Sequence, residues 1–269
     1  MSSKSEVIQI AEAKLIPETM IKAMAKEIKD NDKVFHGLAS PLPILAMLLA
    51  KFTHAPNLVF LSVAEGVDPD LGKVKLTISS ADPRLSVGAI AFSELVDAFD
   101  LCQRKELGVV FLGGAQIDKY GNINLSAIGE YHRPKVRLPG GAATAHITSI
   151  MPKIVIWVTR QSKRVFVEKV DFKTGVGYLD GGDSREKAGA WPTILKVVTN
   201  LAVYGFDEKT RMMKAESIHP GVTADMIRGN TGFDIEIPPD VPTTEMPNEE
   251  ELRTITKLDP DNIRYTEFR

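Results

Sequence analysis

The feature that most constrains the fold is an apolar run, Gly108 to Leu112, that leads directly into the pair Gly113-Gly114. A continuous apolar run of this length predicts a strand that is buried on both faces, as in a parallel sheet. Glycine has no Cβ, so the backbone after the strand can approach a neighbour or a ligand closely. Polar residues follow at Gln116, Asp118, Asn122 and Asn124. Open α/β sheets bind ligands outside the carboxyl ends of their strands, so these residues are candidates for a site. The alternative is a strand, a tight turn and a hairpin around Gly121.

Length and composition narrow the class of protein. A chain of 269 residues with 25% charged and 43% apolar residues fits one large globular α/β domain. The formal net charge of −2 gives the whole chain no electrostatic reason to bind nucleic acid or an anionic membrane. The charged N-terminal stretch lacks the apolar core of a signal peptide, and no run reaches the ~18 apolar residues of a membrane span. We therefore expect a cytoplasmic protein that binds neither nucleic acid nor membrane.

Metal and thiol chemistry have little support in the sequence. The single cysteine, Cys102, excludes an internal disulfide, and its place in a helix-like stretch favours a structural thiol over a nucleophile. The five histidines are scattered without metal-binding spacing. The sequence therefore predicts no metal site.

The first hundred residues have the pattern of a βαβ unit. Apolar residues at helical spacing predict a helix over 17–30, and Pro41 and Pro43 open a second, almost wholly apolar helix over 43–52. Strands are predicted at 33–38 and 58–61. Strand, helix and strand in this order predict two parallel neighbours in one sheet.

Weaker patterns cover the rest of the chain. They predict a half-buried strand at 73–79, a helix at 93–102, strands at 153–159 and 164–170 that pair or extend the sheet, a hairpin of 196–203 with 212–218, and helices at 223–229 and 248–257. Residues 1–237 form the predicted single α/β domain, an open and mostly parallel sheet flanked by helices. Residues 238–269 form a C-terminal extension that packs on the domain or on a partner.

Glu65 is a carboxylate just after the strand at 58–61 and just before Gly66. A carboxylate in that position can act as a nucleophile or a general base. It can equally cap a helix or occupy a surface turn, and spacing alone leaves both interpretations open.

A basic stretch precedes a glycine-rich turn. His132, Arg133, Lys135 and Arg137 are followed by Gly140-Gly141-Ala142. Backbone N–H groups of such a turn can hold an oxyanion or a phosphate, and the cations would strengthen that binding. The alternative is a solvated basic loop followed by the start of a helix.

Several segments together resemble one family. GGAQIDKYGNIN and IGEYHRPKVRLPGGAATAH, with SKRVFVEKVDFKTGVGYLDGG, VVTNLAVYGFD, HPGVT and LDPDN, resemble the β-subunit of class I coenzyme A transferases of the glutaconate type. The resemblance covers roughly residues 20–262. The second half is also similar to the β-subunit of a related hydrolase that opens the last steroid rings as CoA thioesters.

The resemblance implies a homologous α-subunit, in a heterodimer, a heterotetramer or a larger complex, and an acyl-CoA substrate. In the transferases, a β-subunit glutamate attacks the acyl-CoA and forms a mixed anhydride, then a glutamyl-CoA thioester. An ungapped match puts Val63 at that position, and Glu65 lies two residues later. The hydrolase relatives carry their essential glutamate on the α-subunit. A non-catalytic subunit that only shapes the pocket is a further alternative.

The same resemblance assigns roles to the other segments. Both enzyme types need an oxyanion site for a thioester carbonyl, and the candidates are Gly113, Gly114 and Gln116 together with Gly140, Gly141 and Ala142. Arg133, Lys135 and Arg137 are the candidates for binding the CoA phosphates. Coenzyme A would be a cosubstrate, with no bound cofactor and no metal.

Overall fold

The structure is a computed structural model that describes residues 15–70, 72–74 and 76–268. The chain divides into two compact units. The first unit combines the residues up to Phe111 with those from Glu245 onward, and the second unit is Leu112–Thr244. The predicted boundary at residue 237 stays a prediction.

The elements are numbered in chain order. The helices are α1 (Ile16–Ala25), α2 (Pro41–Phe52), α3 (Leu95–Gln103), α4 (Thr144–Ile150), α5 (Ser184–Lys187), α6 (Ala224–Gly229) and α7 (Glu249–Leu258), with 3₁₀ turns at Pro83–Ser86 and Ile263–Phe268. The strands are β1 (Lys33–His36), β2 (Val59–Leu61), β3 (Gly66–Val67), β4 (Ala91–Phe92), β5 (Leu107–Leu112), β6 (Gln116–Asp118), β7 (Ile123–Asn124), β8 (Ala127–Ile128), β9 (Val136–Arg137), β10 (Lys153–Val158), β11 (Phe166–Val167), β12 (Ile194–Thr199), β13 (Ala202–Phe206) and β14 (Met213–Ile218).

The sheet of the first unit runs in the order β5-β1-β2-β3-β4. Strand β1 is parallel to both β2 and β5, so Val34 lies opposite Phe60 on one side and Val109 on the other. Strands β3 and β4 continue the sheet as antiparallel strands. The connection between β1 and β2 is α2, which is buried from Pro41 to Ala50. The predicted βαβ unit and its buried helix are both confirmed.

The segment from Glu245 onward packs against α1 within the first unit. The Arg264 guanidinium donates to Glu18 at 2.6 Å and to Asp259 at 2.8 Å, and all three side chains are buried. The Tyr265 hydroxyl adds a 2.5 Å hydrogen bond to Glu18. We call the contacts of Arg264 and Tyr265 with α1 the C-terminal clasp. A capping box between Asn248 and Glu251 starts α7, so the helix predicted at 248–257 is confirmed.

The sheet of the second unit runs in the order β14-β13-β12-β10. Strands β10 and β12 are parallel, whereas β13 and β14 continue as antiparallel strands. A separate three-stranded sheet has the order β11-β6-β7, and β8 pairs with β9 in a small hairpin. Aromatic rings of Phe166, Tyr204 and Phe233 pack together between these parts. The expected open, mostly parallel sheet flanked by helices is confirmed.

Three sequence-based assignments were wrong. Residues 196–203 are not one strand, because the chain turns at Asn200-Leu201 between β12 and β13. Residues 164–170 do not join β10; they contain the short β11, which pairs with β6. The described residues of 73–79 contain no strand. By contrast, β6 and β7 form the antiparallel hairpin that was the alternative around Gly121.

Candidate active site

The first candidate, Glu65, lies in a tight turn at the carboxyl end of β2. The Ser62 N–H donates to the Gly66 carbonyl at 3.0 Å, and the Glu65 N–H donates to the Ser62 carbonyl at 2.9 Å. Glu65 has φ +66°, the left-handed conformation that costs an L-residue about 1–2 kcal/mol. Its side chain is exposed. Glu65 is therefore a turn residue, not a helix cap, and its carboxylate points away from the core.

Neighbouring segments fix the backbone of this turn on two sides. The Ser93 N–H donates to the Glu65 carbonyl at 2.9 Å, and the Ser86 hydroxyl donates to the Ala64 carbonyl at 2.5 Å. A Cβ at Gly66 would lie 2.7 Å from the Cβ of Ser86, so only glycine permits this approach. The strained conformation is thus held by several independent contacts, which is the usual condition for strain to persist at a functional site.

A surface pocket of about 480 Å³ lies beside the turn. It is lined by Val63, Ala64, Glu65, Ala81, Pro83, Ser86, Val87 and Phe92. Val63, which the ungapped family match puts at the nucleophile position, lines the same pocket and is half-buried. The pocket is mostly apolar and small, so it could hold an acyl group against the carboxylate of Glu65.

The glycine pair after β5 belongs to the second unit from Gly113 onward. A Cβ at Gly114 would lie 2.9 Å from the Cγ2 of Ile123, whereas a Cβ at Gly113 would meet nothing within 4 Å. Close packing therefore explains glycine at 114. Packing within the described residues does not explain glycine at 113, so the open space beside its backbone fits the predicted substrate loop.

The polar residues after the glycine pair form a buried network. Asp118, 2% exposed, accepts hydrogen bonds from the N–H groups of Tyr120 and Asn122 and from the Asn122 amide. Asn122 in turn donates to the Leu179 carbonyl at 2.7 Å and accepts from the Gly177 N–H at 3.0 Å. Burial raises the pKa of Asp118, although the bonds from Asn122 and Tyr120 oppose the shift. These residues hold the hairpin and the 177–179 loop together.

Gln116 is buried too, and its amide is fully paired. Its oxygen accepts from the Asn124 amide at 2.7 Å and from the Asp171 N–H at 3.0 Å, and its nitrogen donates to the Asp171 carboxylate at 3.2 Å. The same carboxylate accepts from the Gly129 N–H at 2.8 Å. Asp171 therefore joins the Gln116 motif to the base of the β8–β9 hairpin. A direct substrate contact for Gln116 stays a prediction.

The β8–β9 hairpin presents the basic stretch to solvent. Arg133, Lys135 and Arg137 are all exposed, and within the described residues none of them has an ion-pair partner. Tyr131 stacks on Phe172 with 4.6 Å between the ring centroids, and the Arg137 guanidinium lies 5.3 Å from the Tyr131 ring. This stack orients Arg137 before any ligand arrives. An anion could therefore bind here without first breaking an ion pair.

The glycine-rich turn packs closely on the same assembly. The Gly140 N–H donates to the Leu125 carbonyl at 2.8 Å, and a Cβ at Gly141 would lie 2.2 Å from the Cγ2 of Thr174. Gly140 has φ +97° and Ala142 has φ +42°. Helix α4 begins directly afterwards, as predicted. The turn is thus a constrained entry to a helix whose exposed side leaves room at Gly140, where a Cβ would meet nothing within 4 Å.

Hydrogen bonds connect the candidates of the second unit with one another. The Thr174 hydroxyl accepts from the Leu125 N–H at 2.9 Å and lies 2.7 Å from the Ser126 hydroxyl, while the Leu138 N–H donates to the Ser126 carbonyl. Thr174 and Asp171 are the connecting residues that sequence reasoning missed. Their only signal was the segment VDFKTG, in which polar residues follow an apolar stretch without periodicity. Glu65 belongs to the first unit.

Among the residues that the structure describes, no group of three or more His, Cys, Asp or Glu side chains is arranged to hold a metal ion. Cys102 is buried, and burial raises the pKa of its thiol to about 11. A thiol in that state is a poor nucleophile. The helices in the described ranges all lack the length and the apolar character needed to cross a bilayer.

Comparisons with known proteins define the class. The family model described as coenzyme A transferase matches residues 17–230. The chain therefore belongs to the coenzyme A transferase family. The expected resemblance to the β-subunits of this family is confirmed by relatives of more than one activity.

Two curated relatives illustrate that range. The B-type subunit of the 3-oxoadipate CoA-transferase of Pseudomonas knackmussii is 33% identical over 90% of this chain and 92% of its own length. The IpdB subunit of the cholesterol ring-cleaving hydrolase of Mycobacterium tuberculosis is 31% identical over 100% of both chains. The chain is thus similar both to a transferase subunit and to a hydrolase subunit.

Solved structures agree on the fold. The glutaconate coenzyme A-transferase of Acidaminococcus fermentans superposes with a TM-score of 0.81 at 27% identity, over 94% of this chain and 97% of that one. The decarboxylase AibA/AibB superposes with a TM-score of 0.83 at 28% identity, over 94% and 98%. One fold therefore carries transferase, hydrolase and decarboxylase chemistry among these relatives.

Proposed function

We propose that this chain is the β-subunit of a heteromeric CoA-transferase that moves CoA between a carboxylic acid and an acyl-CoA, with Glu65 as the nucleophile. The observation that carries the proposal is the position of Glu65. An exposed carboxylate at the carboxyl end of a parallel strand, on a strained and braced turn beside a pocket, has the placement of a preorganised nucleophile.

The chemistry proceeds in steps that the carboxylate can perform. A carboxylate oxygen of Glu65 attacks the thioester carbon, and CoA leaves as the thiolate, which forms an acyl-glutamyl anhydride. The thiolate then attacks the γ-carbonyl of Glu65, releases the first carboxylic acid as its carboxylate, and leaves a glutamyl-CoA thioester. The acceptor carboxylate repeats the two steps in reverse order. No metal or redox cofactor is needed.

The second unit supplies groups that suit the rest of the substrate. The exposed cations Arg133, Lys135 and Arg137 can form charge-assisted bonds to the CoA phosphates. Backbone N–H groups at Gly113, Gly114 and Gly140 to Ala142 are the candidates for stabilising the oxyanion that develops on the thioester carbonyl. Gln116 would position this loop through its bonds to Asn124 and Asp171.

An α-subunit completes the proposed enzyme. The curated transferase relative is named as one of two subunit types, and the solved AibA/AibB and IpdAB proteins carry two-subunit names. The same arrangement here would be a heterodimer, a heterotetramer or a larger complex. We expect this chain alone to be inactive toward acyl-CoA, and the complex to act in the cytoplasm.

A second candidate is the β-subunit of a CoA-thioester ring-cleaving hydrolase, with the essential glutamate on the partner. Two observations favour it. The hydrolase subunit matches this chain from end to end, whereas the transferase subunit matches 90% of it. Val63 also stands where the ungapped transferase match has glutamate. A subunit without any catalytic side chain is the limiting case of this alternative.

Trapping of the covalent intermediate tests the proposal. The co-purified complex is incubated with an acyl-CoA, treated with borohydride or hydroxylamine, and digested for mass spectrometry. The transferase assignment predicts a modified Glu65 peptide, which Glu65→Ala lacks and the exposed control Glu208→Ala retains. Glu65→Asp withdraws the carboxylate by about 1 Å and should lower CoA exchange about a hundredfold. A modified residue on the partner, or exchange activity that persists in Glu65→Ala, would assign the catalysis to the other subunit.

A further inference from the structure

An exposed apolar surface lies next to the Glu65 turn in the first unit. It consists of Val87, Ile90 and Phe92 around β4, and of Leu95 and Val96 at the start of α3. We call these five residues the apolar ridge. Ile90 is 77% exposed, Phe92 is 76% exposed and Val96 is 61% exposed. Soluble proteins seldom leave large apolar side chains this open in one continuous segment unless the surface binds something.

The ridge is rigidly connected to the candidate nucleophile. Strand β4 pairs with β3, which places Phe92 opposite Gly66 in the sheet register. The Ile90 N–H donates to the Val67 carbonyl at 3.0 Å, and the Ser93 N–H donates to the Glu65 carbonyl. Val87 and Phe92 also line the pocket beside Glu65. A partner that covers the ridge would therefore close one side of that pocket.

The charges around the ridge decide which partner fits. Between Leu85 and Gln103 the sequence contains Glu94, Asp97 and Asp100 but no lysine or arginine. Glu94 and Asp97 are exposed, as is Glu65 itself. Two copies of this chain that met ridge to ridge would bring these acidic rims together, which is unfavourable. A chain with an apolar centre and a basic rim would complement the surface.

The size of the ridge also suits a protein partner. Five large apolar side chains, mostly exposed, present several hundred Å², the scale at which a patch marks an interaction site. A standard interface covers about 800 Å² on each partner, so the ridge would form the apolar centre of such an interface. We infer that the apolar ridge is the surface on which the homologous α-subunit docks, through an apolar face with a basic rim. The inference rests on the heteromeric assembly proposed above.

The test measures assembly without any CoA compound, so its failure is distinct from failure of the proposed transfer chemistry. The full chain is co-expressed with an α-like subunit of the family from the same genome. The complex is measured by size-exclusion chromatography with light scattering, and its Kd by dilution. The variant Ile90→Ser/Val96→Ser leaves the pocket lining and Glu65 intact. The matched control is Ile194→Ser, which removes an apolar side chain that is 54% exposed in the second unit.

The double variant should weaken the complex at least about a hundredfold, because central apolar contacts dominate interface energetics. It should keep the melting temperature of the isolated chain, and Ile194→Ser should keep both. Raising NaCl from about 50 to about 500 mM should slow association, because the rims are charged. An unchanged Kd in the double variant would overturn the inference. So would a homodimer of this chain that the double variant abolishes while the heteromer persists.

Discussion

At the scale of single residues, Glu65 combines a carboxylate with a left-handed backbone, and substitution can separate the two. Glu65→Ala and Glu65→Gly both remove the carboxylate, but only glycine relieves the conformation at φ +66°. The relief is worth about 1–2 kcal/mol and is partly offset by the greater freedom of glycine in the unfolded chain. We expect the free energy of unfolding of Glu65→Gly to exceed that of Glu65→Ala by up to about 1 kcal/mol, as measured by urea denaturation.

The same pair of substitutions at an ordinary helical position provides the control. Arg253 is exposed on α7. Glycine in a helix is about 1 kcal/mol less favourable than alanine, so Arg253→Gly should be the less stable of its pair. If glycine were the less stable residue at both positions, the turn at Glu65 would hold no strain.

Residue-level prediction succeeded where a single segment decides the outcome. The sequence placed Glu65 correctly after a buried strand, because the apolar run and Gly66 are local signals. It left the role of Asp118 and Asn122 open, since their partners at Gly177 and Leu179 lie more than fifty positions along the chain. Polarity alone cannot distinguish a buried structural network from a ligand site.

At the scale of elements, the β8–β9 hairpin should bind CoA phosphates through its unpaired cations. Replacing Arg133 or Lys135 with alanine should weaken binding of acyl-CoA to the assembled complex by about 1.5–3 kcal/mol per lost contact. Stability should move by no more than about 0.5 kcal/mol, because both side chains are exposed. Calorimetric titration gives the Kd, and the exposed Lys209→Ala serves as the control. Unchanged affinity in both hairpin variants would exclude this hairpin from the CoA site.

The C-terminal clasp should contribute strongly to the stability of the first unit. Arg264→Ala leaves the carboxylates of Glu18 and Asp259 buried without their cation. Removal of one partner from a buried ion pair typically costs about 3–5 kcal/mol. We expect a loss of that size in chemical denaturation, against a change of about 0.5 kcal/mol or less for Arg253→Ala. Equal effects of the two variants would show that the clasp is energetically neutral.

Elements were predictable where punctuation was clear. Helix α2 has prolines at its start and apolar residues all round, and it is buried as expected. Residues 196–203 were misassigned because no glycine or proline marks the reversal at Asn200-Leu201. That reversal is instead stabilised by the Thr199 hydroxyl, which accepts from the N–H of Leu201 at 3.0 Å. A hydroxyl that supports a turn leaves no distinctive pattern in a β-rich stretch.

At the scale of the whole molecule, two buried histidines should make the protein sensitive to acid. His36 and His219 are 0% and 1% exposed, and burial lowers the pKa of each from 6.5 to about 4. Both are neutral in the folded chain, whereas the unfolded chain binds protons below pH 6.5. The free energy of unfolding should therefore fall as pH drops from about 6.5 to about 4, by up to about 1.4 kcal/mol per pH unit for each histidine.

Urea denaturation across this pH range checks the prediction. The Nδ1 of His36 lies 2.9 Å from the Gly37 carbonyl, and the Nε2 of His219 lies 2.7 Å from the Thr199 carbonyl. His36→Asn and His219→Gln keep a donor for these contacts but cannot be protonated. Each variant should flatten the slope, while the exposed control His54→Gln should preserve it. A slope that survives both substitutions would assign the acid sensitivity to other groups.

The composition of the first unit has a consequence for biosynthesis. Glu18 on α1 leaves the ribosome early, but its partner Arg264 is synthesised only after the whole of Leu112–Thr244. At about 5–20 residues per second, the roughly 130 intervening residues delay that partner by about ten seconds. During this interval the second unit, which is contiguous in sequence, can fold on its own. The first unit waits with α1 uncovered, so nascent chains that stall in this interval expose α1 to chaperones and proteases.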